Sequence, residues 1–281
     1  MKGFINLNKP KGMSSARAVA IVKKQLGLTK EKVGHAGTLD PMASGVLPIA
    51  IGRATRLFDF MQTKQKSYIA EFTFGYETNT LDIEGEIISK SDSIPLKEQI
   101  LSVLPQFLGE IEQLPPQFSA KSVNGVRAYD LARSGQVADL KACKVHIFEF
   151  ELLEDKKPTY TFKITCGSGT YIRSLCKDLA QSLGAFATMT SLQRVNSGVF
   201  NIENSVDIDN ISQKEILPCE IVLGNLKKLI LSLEQESILL MGKKLQIDVA
   251  SGIYKAYCDE ELIGLASVDA EKTIKMKTWL K

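Results

Sequence analysis

The sequence predicts an α+β protein: a mixed or antiparallel central sheet flanked by helices, followed by a small, mostly β appendage. Three observations carry this expectation. Strand-like and helix-like segments are interspersed without the strict strand–helix–strand repeat of a doubly wound fold. Residues 68–76, YIAEFTFGY, alternate so that Tyr68, Ala70, Phe72, Phe74 and Tyr76 share one face. Near Pro218 the texture shifts to short strand-like runs, which divides the chain into residues 1–217 and 218–281.

Taken in order, residues 3–8 read as a short strand ended by the turn Lys9-Pro10-Lys11-Gly12. Ser14 or Ser15 then offers a helix N-cap, Val19, Val22 and Leu26 form an apolar stripe, and Gly27 sits where a helix stops. Val46–Ile51 is a continuous apolar strand followed by the helical ATRLFDFM. Beyond the alternating strand, a helix starts near Pro95 with Ile100, Val103 and Leu104 on one side. From Pro115 to Cys143 the period weakens, and turn signals mix with basic residues and a helix-like YDLAR. Stretches this long without a clear period are often functional. Two strands follow, Val145–Leu153 and Thr159–Cys166. After CGSGT, with Ser168 or Thr170 as a cap, a helix carries Ile172, Leu175, Leu179 and Leu183 and stops at Gly184. The final segment holds a Lys-Lys helix candidate and strands around 244–248, 253–258, 261–267 and 273–279.

The whole-chain properties bound the function. At 281 residues there is room for one large domain or a large one plus a small one. The 44% apolar and 24% charged fractions are those of a globular protein, and no run reaches the length a membrane helix needs. The N-terminal residues contain no continuous apolar core of a signal peptide, so a cytoplasmic location is expected. Five scattered cysteines with no CxxC pair, and two histidines in unrelated contexts, argue against structural zinc and a disulfide framework. A net charge of +3 does not by itself identify a nucleic-acid partner. The first 32 residues nevertheless carry eight Lys or Arg against one acid, Glu31, which suits either a phosphate backbone or solvent.

Residues 34–48, GHAGTLDPMASGVLP, concentrate the chemistry. Asp40 precedes a proline and is therefore biased to extended backbone, with Gly34 and Gly37 permitting tight geometry ahead of it. Such a mount suits a nucleophile or base. Spacing alone favours a plainer reading, an Asp-Pro turn satisfying its own amides. His35 reads as a hydrogen-bonding structural residue or as a group that meets a base or phosphate. In GSGTYIRSLCKDL, Arg173 falls in the first turn of a helix, where the dipole disfavours a cation, so it wants an anionic partner such as Asp40 or a phosphate. A surface arginine beside a half-buried Tyr171 remains the alternative. Tyr68 is a core residue unless its strand end reaches a cleft. The acids Asp82, Glu84 and Glu86 of LDIEGE read as a solvated hairpin rather than a metal site, there being no histidine nearby.

With those residues in view, the chain resembles the TruB family of tRNA pseudouridine synthases. GHAGTLDPMASGVLPIAIGRATRLF is similar to that family's catalytic signature, and NKPKGMSS to its N-terminal motif. KSYIA resembles the segment with an active-site tyrosine, GTYIRSLCKDL a second active-site segment, and SLQRVNSGVF the segment closing the pocket. The resemblance covers residues 6 to 200 in the family's order. It implies a pseudouridine synthase fold with a PUA-like C-terminal domain, and residues 116–143 as an RNA-gripping insertion. The implied activity is isomerisation of uridine 55 in the tRNA T loop, by base flipping, without metal or other cofactor. Asp40 would be catalytic, Tyr68 would stack on the flipped uracil and Arg173 would pair with Asp40, where a cation favours the ionised carboxylate. Tyr171 and Leu192 would line the pocket and His35 would touch displaced nucleotides. Gly37 and Lys9 complete the substrate-binding set. The implied partner is the tRNA T-arm, with no membrane and no obligate protein partner, and the protein as a monomer. A non-catalytic tRNA binder or RNA chaperone using the same cleft is the competing class, and an RNA-guided synthase the third.

Overall fold

A computed structural model describes residues 1–62, 65–119, 121–123 and 125–281. The chain opens with β1 (Gly3–Lys9), α1 (Ser15–Gln25), β2 (Val33–His35), β3 (Ser44–Ile51), α2 (Phe58–Gln62) and β4 (Lys66–Phe74). It continues through β5 (Tyr76–Thr78), β6 (Ile87–Lys90), α3 (Lys97–Val103), β7 (Gly109–Gln113), β8 (Ser122–Val123), β9 (Val126–Arg127) and α4 (Ala128–Arg133). Next come β10 (Cys143–Lys156), β11 (Thr159–Cys166), α5 (Ile172–Ser182), β12 (Ala187–Ser197), β13 (Phe200–Asn201) and β14 (Val206–Asp207). The last part holds β15 (Lys227–Ile230), α6 (Leu233–Leu240), β16 (Leu245–Gln246), β17 (Gly252–Cys258), β18 (Glu261–Val268) and β19 (Thr273–Trp279).

Ten strands form the main sheet in the order β14-β1-β3-β12-β4-β11-β10-β7, with β2 on β3 and β13 on β12. Among the described residues only β1/β14 and β3/β12 of this sheet run parallel, so the sheet is mixed and the fold is α+β as expected. The inward face of β4, Tyr68, Ala70, Phe72 and Phe74, is the alternation seen in the sequence. Phe72 packs on Phe162 with ring centroids 4.9 Å apart, and Phe74 meets Tyr160 edge-on at 5.6 Å. Helix α5 closes this face with Ile172, Leu175, Cys176 and Leu179, all buried.

Strand β3 explains why its sequence is apolar throughout rather than alternating. Leu47, Ile49 and Ile51 enter the core beneath the helices, while Val46 and Ala50 point to the other face. That second face is covered by Leu262, Leu265 and Tyr257 from a five-stranded sheet, β15-β17-β18-β19-β16, together with Leu280, Cys219 and Val222. A strand buried on both sides has no polar phase to show.

Several expected elements shift. Gly75 (φ +109°) breaks the alternating strand, so Tyr76 opens β5 and pairs with Lys90 in a hairpin instead of extending β4. The helical stretch after β3 begins as a 3-10 turn, Gly52–Leu57, before α2. The Lys-Lys segment expected as helix, Lys227–Ile230, is a strand parallel to β17, and the helix follows it from Leu233, capped by Ser232. Helix α5 has no side-chain cap from Ser168 or Thr170. Its N-cap is Tyr171, whose backbone N–H donates to Gln113 Oε1 at 2.7 Å. Within residues 116–143, expected from the sequence to be an insertion, positions 120 and 124 lie outside the described residues.

Candidate active site

The acid-bearing loop leaves from a gap in the sheet. One edge of β3 is shared: Ile49 to Ile51 pair with β2, whereas Ser44 and Gly45 pair with β12. Residues 36–43 emerge between those two partners. Gly45 permits the junction, because at φ +102° any Cβ would collide with the Arg194 carbonyl of the neighbouring strand. His35 therefore ends a short strand rather than belonging to the turn itself.

Within the loop, the peptides on both sides of Asp40 are clamped by the residue 10–15 segment. Ser15 Oγ donates to the Leu39 carbonyl and accepts from the Leu39 N–H, both at 2.8 Å. The Gly12 N–H donates to the Pro41 carbonyl at 2.8 Å. Asp40's own carbonyl accepts from Ala43 N at 3.1 Å, closing the turn. Two adjacent serines thus divide the work: Ser14 caps α1, and Ser15 fixes the loop that carries Asp40. Lys9 braces the same segment from below, donating to the Pro10 and Met13 carbonyls at 2.8 and 2.6 Å. Its ammonium has no exposed surface, and burial lowers its pKa to about 8 even though Asp40 is nearby.

Arg173 projects from the first turn of α5 and finds the anionic partner its position demanded. Its Nη2 lies 2.9 Å from Asp40 Oδ2, and its Nη1 3.4 Å from Asp82 Oδ2. The guanidinium also donates to the Thr80 and Phe118 carbonyls, each at 3.0 Å. With Arg173 6% and Asp82 3% exposed, both are buried, whereas the Asp40 side chain keeps a third of its surface free. The free carboxylate is thus the one on the loop. This arrangement corrects the solvated-hairpin reading of Asp82. The β5–β6 hairpin exists, but its loop folds inward: Asp82 Oδ1 accepts from Thr80 Oγ1 at 2.7 Å and from the Glu84 N–H at 3.1 Å. Loop residue Ile83 docks on Met189 of β12. Glu84 stays exposed, its pKa raised by partial burial and by Asp82 and Asp40. Among the described residues no group of three metal-ligating side chains comes together.

Tyr68 stands directly opposite Arg194 across the β4–β12 pair. Arg194 is 1% exposed, and donates through Nε to the Val46 carbonyl at 2.7 Å and through Nη2 to Gly37 at 3.0 Å. It therefore ties β12 to both ends of the acid loop. The Tyr68 hydroxyl is pushed above the usual tyrosine range by burial, partly offset by Arg194 within hydrogen-bonding reach. His35 is held below the ordinary histidine range by burial and then by Arg194, and its buried Nδ1 has no partner among the described residues. The neutral form of the ring is thus favoured near Arg194, with one buried nitrogen left unsatisfied.

Asp40, Arg173, Tyr68, His35, Gly37 and Lys9 therefore converge. Leu192 lies two residues before Arg194 on the same face of β12, buried, and Tyr171 two residues before Arg173, half-buried at the head of α5. Sequence reading missed three members: Asp82, Arg194 and Ser15 as a loop clamp. Each left a trace. Thr80, Asp82 and Gly85 have the spacing of a side-chain-closed turn, and a lone arginine sits at an inward phase of a strand. The paired serines exceed what one helix cap needs.

Comparisons with known proteins identify the family to which the chain is similar. Residues 23–172 match the profile of the TruB family pseudouridylate synthase N-terminal domain, and residues 173–236 the tRNA pseudouridylate synthase B C-terminal domain. A Clostridium tetani protein named tRNA pseudouridine synthase B is 37% identical over 98% of this chain and 99% of its own. Its namesake in Clostridium kluyveri is 44% identical over 77% of this chain and 74% of its own, and the one in Ehrlichia canis 44% over 82% and 79%. Among solved structures, the chain superposes on a protein of an H/ACA RNP bound to a substrate RNA containing 2′-deoxyuridine. The TM-score is 0.70 at 24% identity, over 99% of this chain and 85% of that one, a likeness of fold.

Proposed function

Because the chain belongs to the TruB family and forms pseudouridine in tRNA, we propose that its target is uridine 55 of the T loop and that Asp40 is the indispensable group. The observation that carries this reading is the 2.9 Å pair between Asp40 and Arg173, on a loop clamped at both flanks of the acid. A carboxylate one-third exposed and held by a buried cation is preorganised to meet a reacting sugar.

The isomerisation breaks the N1–C1′ bond, turns the uracil and rejoins it through C5. A stacked uridine hides these atoms, so the nucleotide leaves the helix before the reaction. Asp40 then either attacks C1′ or takes a proton from the sugar. Tyr68 stacks on the flipped base, Leu192 and Tyr171 wall the pocket, and His35 and Gly37 meet the nucleotides around it. Lys9 acts from beneath, through the turn it braces. A hydrolytic glycosidase needs a second carboxylate beside an admitted water. Asp82, a buried carboxylate on the same arginine, is closed off by Arg173, Thr80 and the Glu84 amide.

Residues 1–217 carry the reaction in this reading, 116–143 grip the T-arm, and 218–281 form a PUA-like unit. The protein works as a monomer in the cytoplasm. The test is Asp40→Asn with unmodified tRNA: pseudouridine at position 55 disappears while tRNA binding stays within about threefold, less than 1 kcal/mol. Normal yield from the variant removes Asp40 from the chemistry, and signal at a uridine outside the T loop overturns the target.

A further inference from the structure

Lys66 opens β4 two residues before Tyr68, so the two side chains leave the same face of the strand. Its Nζ lies 3.6 Å from the point where a Cβ would stand on Gly37, and Arg194 Nη1 lies at the same distance from that point. Two cations therefore converge on the backbone of the acid loop, and glycine leaves the space between them open.

The two are not equivalent. Arg194 is engaged with the Val46 and Gly37 carbonyls. Lys66 has no carboxylate within ion-pair distance among the described residues. Its neighbour Cys166 cannot serve as counter-ion, because burial pushes that thiol up to about 11 and keeps it neutral. Burial and then Arg194 hold the lysine below its ordinary range, the mark of a charge in want of an anion. An unpaired ammonium in a half-buried site is costly unless a ligand supplies the charge.

We propose that Lys66 is a substrate-positioning residue whose ammonium binds a phosphate flanking the flipped uridine, and so holds the sugar against Asp40. This rests on the reaction assigned to the site above. A phosphodiester fits better than a uracil carbonyl because the site lacks a full negative charge, not an acceptor. A lysine suits it as a point charge that can follow a backbone in motion.

The experiment uses a T-arm stem-loop RNA with an ordinary linkage, or with a neutral methylphosphonate on the 5′ or the 3′ side of the target uridine. Wild type, Lys66→Met and Lys66→Arg are compared. Lys66→Met is expected to weaken binding about tenfold, in line with one charge-assisted contact. It also makes log K against log salt shallower by about 0.7 to 0.9, the release of one counterion. Lys66→Arg recovers most of both. Wild type loses a similar factor on one of the two neutral linkages, and Lys66→Met loses no more on that RNA.

Unchanged salt slopes, or losses that simply add, overturn the proposal. So does wild-type binding that is indifferent to both neutral linkages, a result independent of how the variants fold. Wild-type turnover on the ordinary stem-loop separates the two readings. Its absence refutes the assigned reaction, whereas normal turnover with additive losses refutes Lys66 alone.

Discussion

Arg173 is held between Asp40 and Asp82, at 2.9 Å from the first and 3.4 Å from the second. The three side chains come from a loop between strands, a hairpin loop and a helix start, and the guanidinium is their meeting point. Only Asp40 retains open surface, so Asp82 works through the arginine.

Replacing Asp82 with Asn is therefore expected to slow single-turnover pseudouridine formation by about 10- to 100-fold, the 1.4–2.7 kcal/mol of one charge-assisted contact. tRNA affinity should change little. The same change leaves a buried guanidinium short of a counter-charge, so urea unfolding should show a loss of about 3 kcal/mol. Wild-type rates from a stable variant would reduce Asp82 to a structural role.

Ser15→Ala removes both hydrogen bonds to Leu39 without touching Asp40's side chain. The expected result is a fall in kcat of roughly tenfold with KM nearly constant, since loop placement matters to the reaction more than to RNA docking. Ser15→Thr should restore part of it. A KM effect without a kcat effect would contradict the clamp.

Tyr68→Leu should keep the buried face of β4 filled yet lose the aromatic platform, lowering single-turnover rates by at least 10-fold, at about 1–3 kcal/mol per stacked base. Thermal denaturation distinguishes this from misfolding, because a leucine at a 7% exposed position should cost little stability.

Lys9 makes a pH prediction. Its pKa falls from 10.5 to about 8 in the folded chain, so the unfolded chain binds more protons there between those values. Stability from this group therefore rises as pH climbs from about 8 to 10.5, and its burden is fully present below 8. Melting temperatures of wild type minus Lys9→Met should accordingly shift in favour of wild type across that window and stay flat beneath it. A difference independent of pH would show that the ammonium is not desolvated.

Much of the fold was legible from local pattern. The β4 alternation, the α1 and α5 stripes and the glycine stops reflect side-chain period and backbone permission, which neighbouring residues settle between themselves. Gly75 shows where such reading ends. One left-handed residue converted an apparent strand continuation into a hairpin, and only pairing with Lys90 revealed it.

The site divides in the same way. By itself the sequence determined that Asp40 sits on a constrained turn before a continuous apolar strand, and that Arg173, at a helix start, was either a surface residue or one in want of an anion. Tertiary structure alone decided which anions. Asp82 looked solvated because an alternating acid run has that appearance on any exposed hairpin. Its burial depends on Leu81 and Ile83 docking on Met189, more than a hundred residues further along. Arg194 takes its role from carbonyls about 150 residues earlier, and Ser15 and Lys66 from a loop more than twenty residues away. Charge burial is set by what packs around a group in space, and no local pattern encodes that.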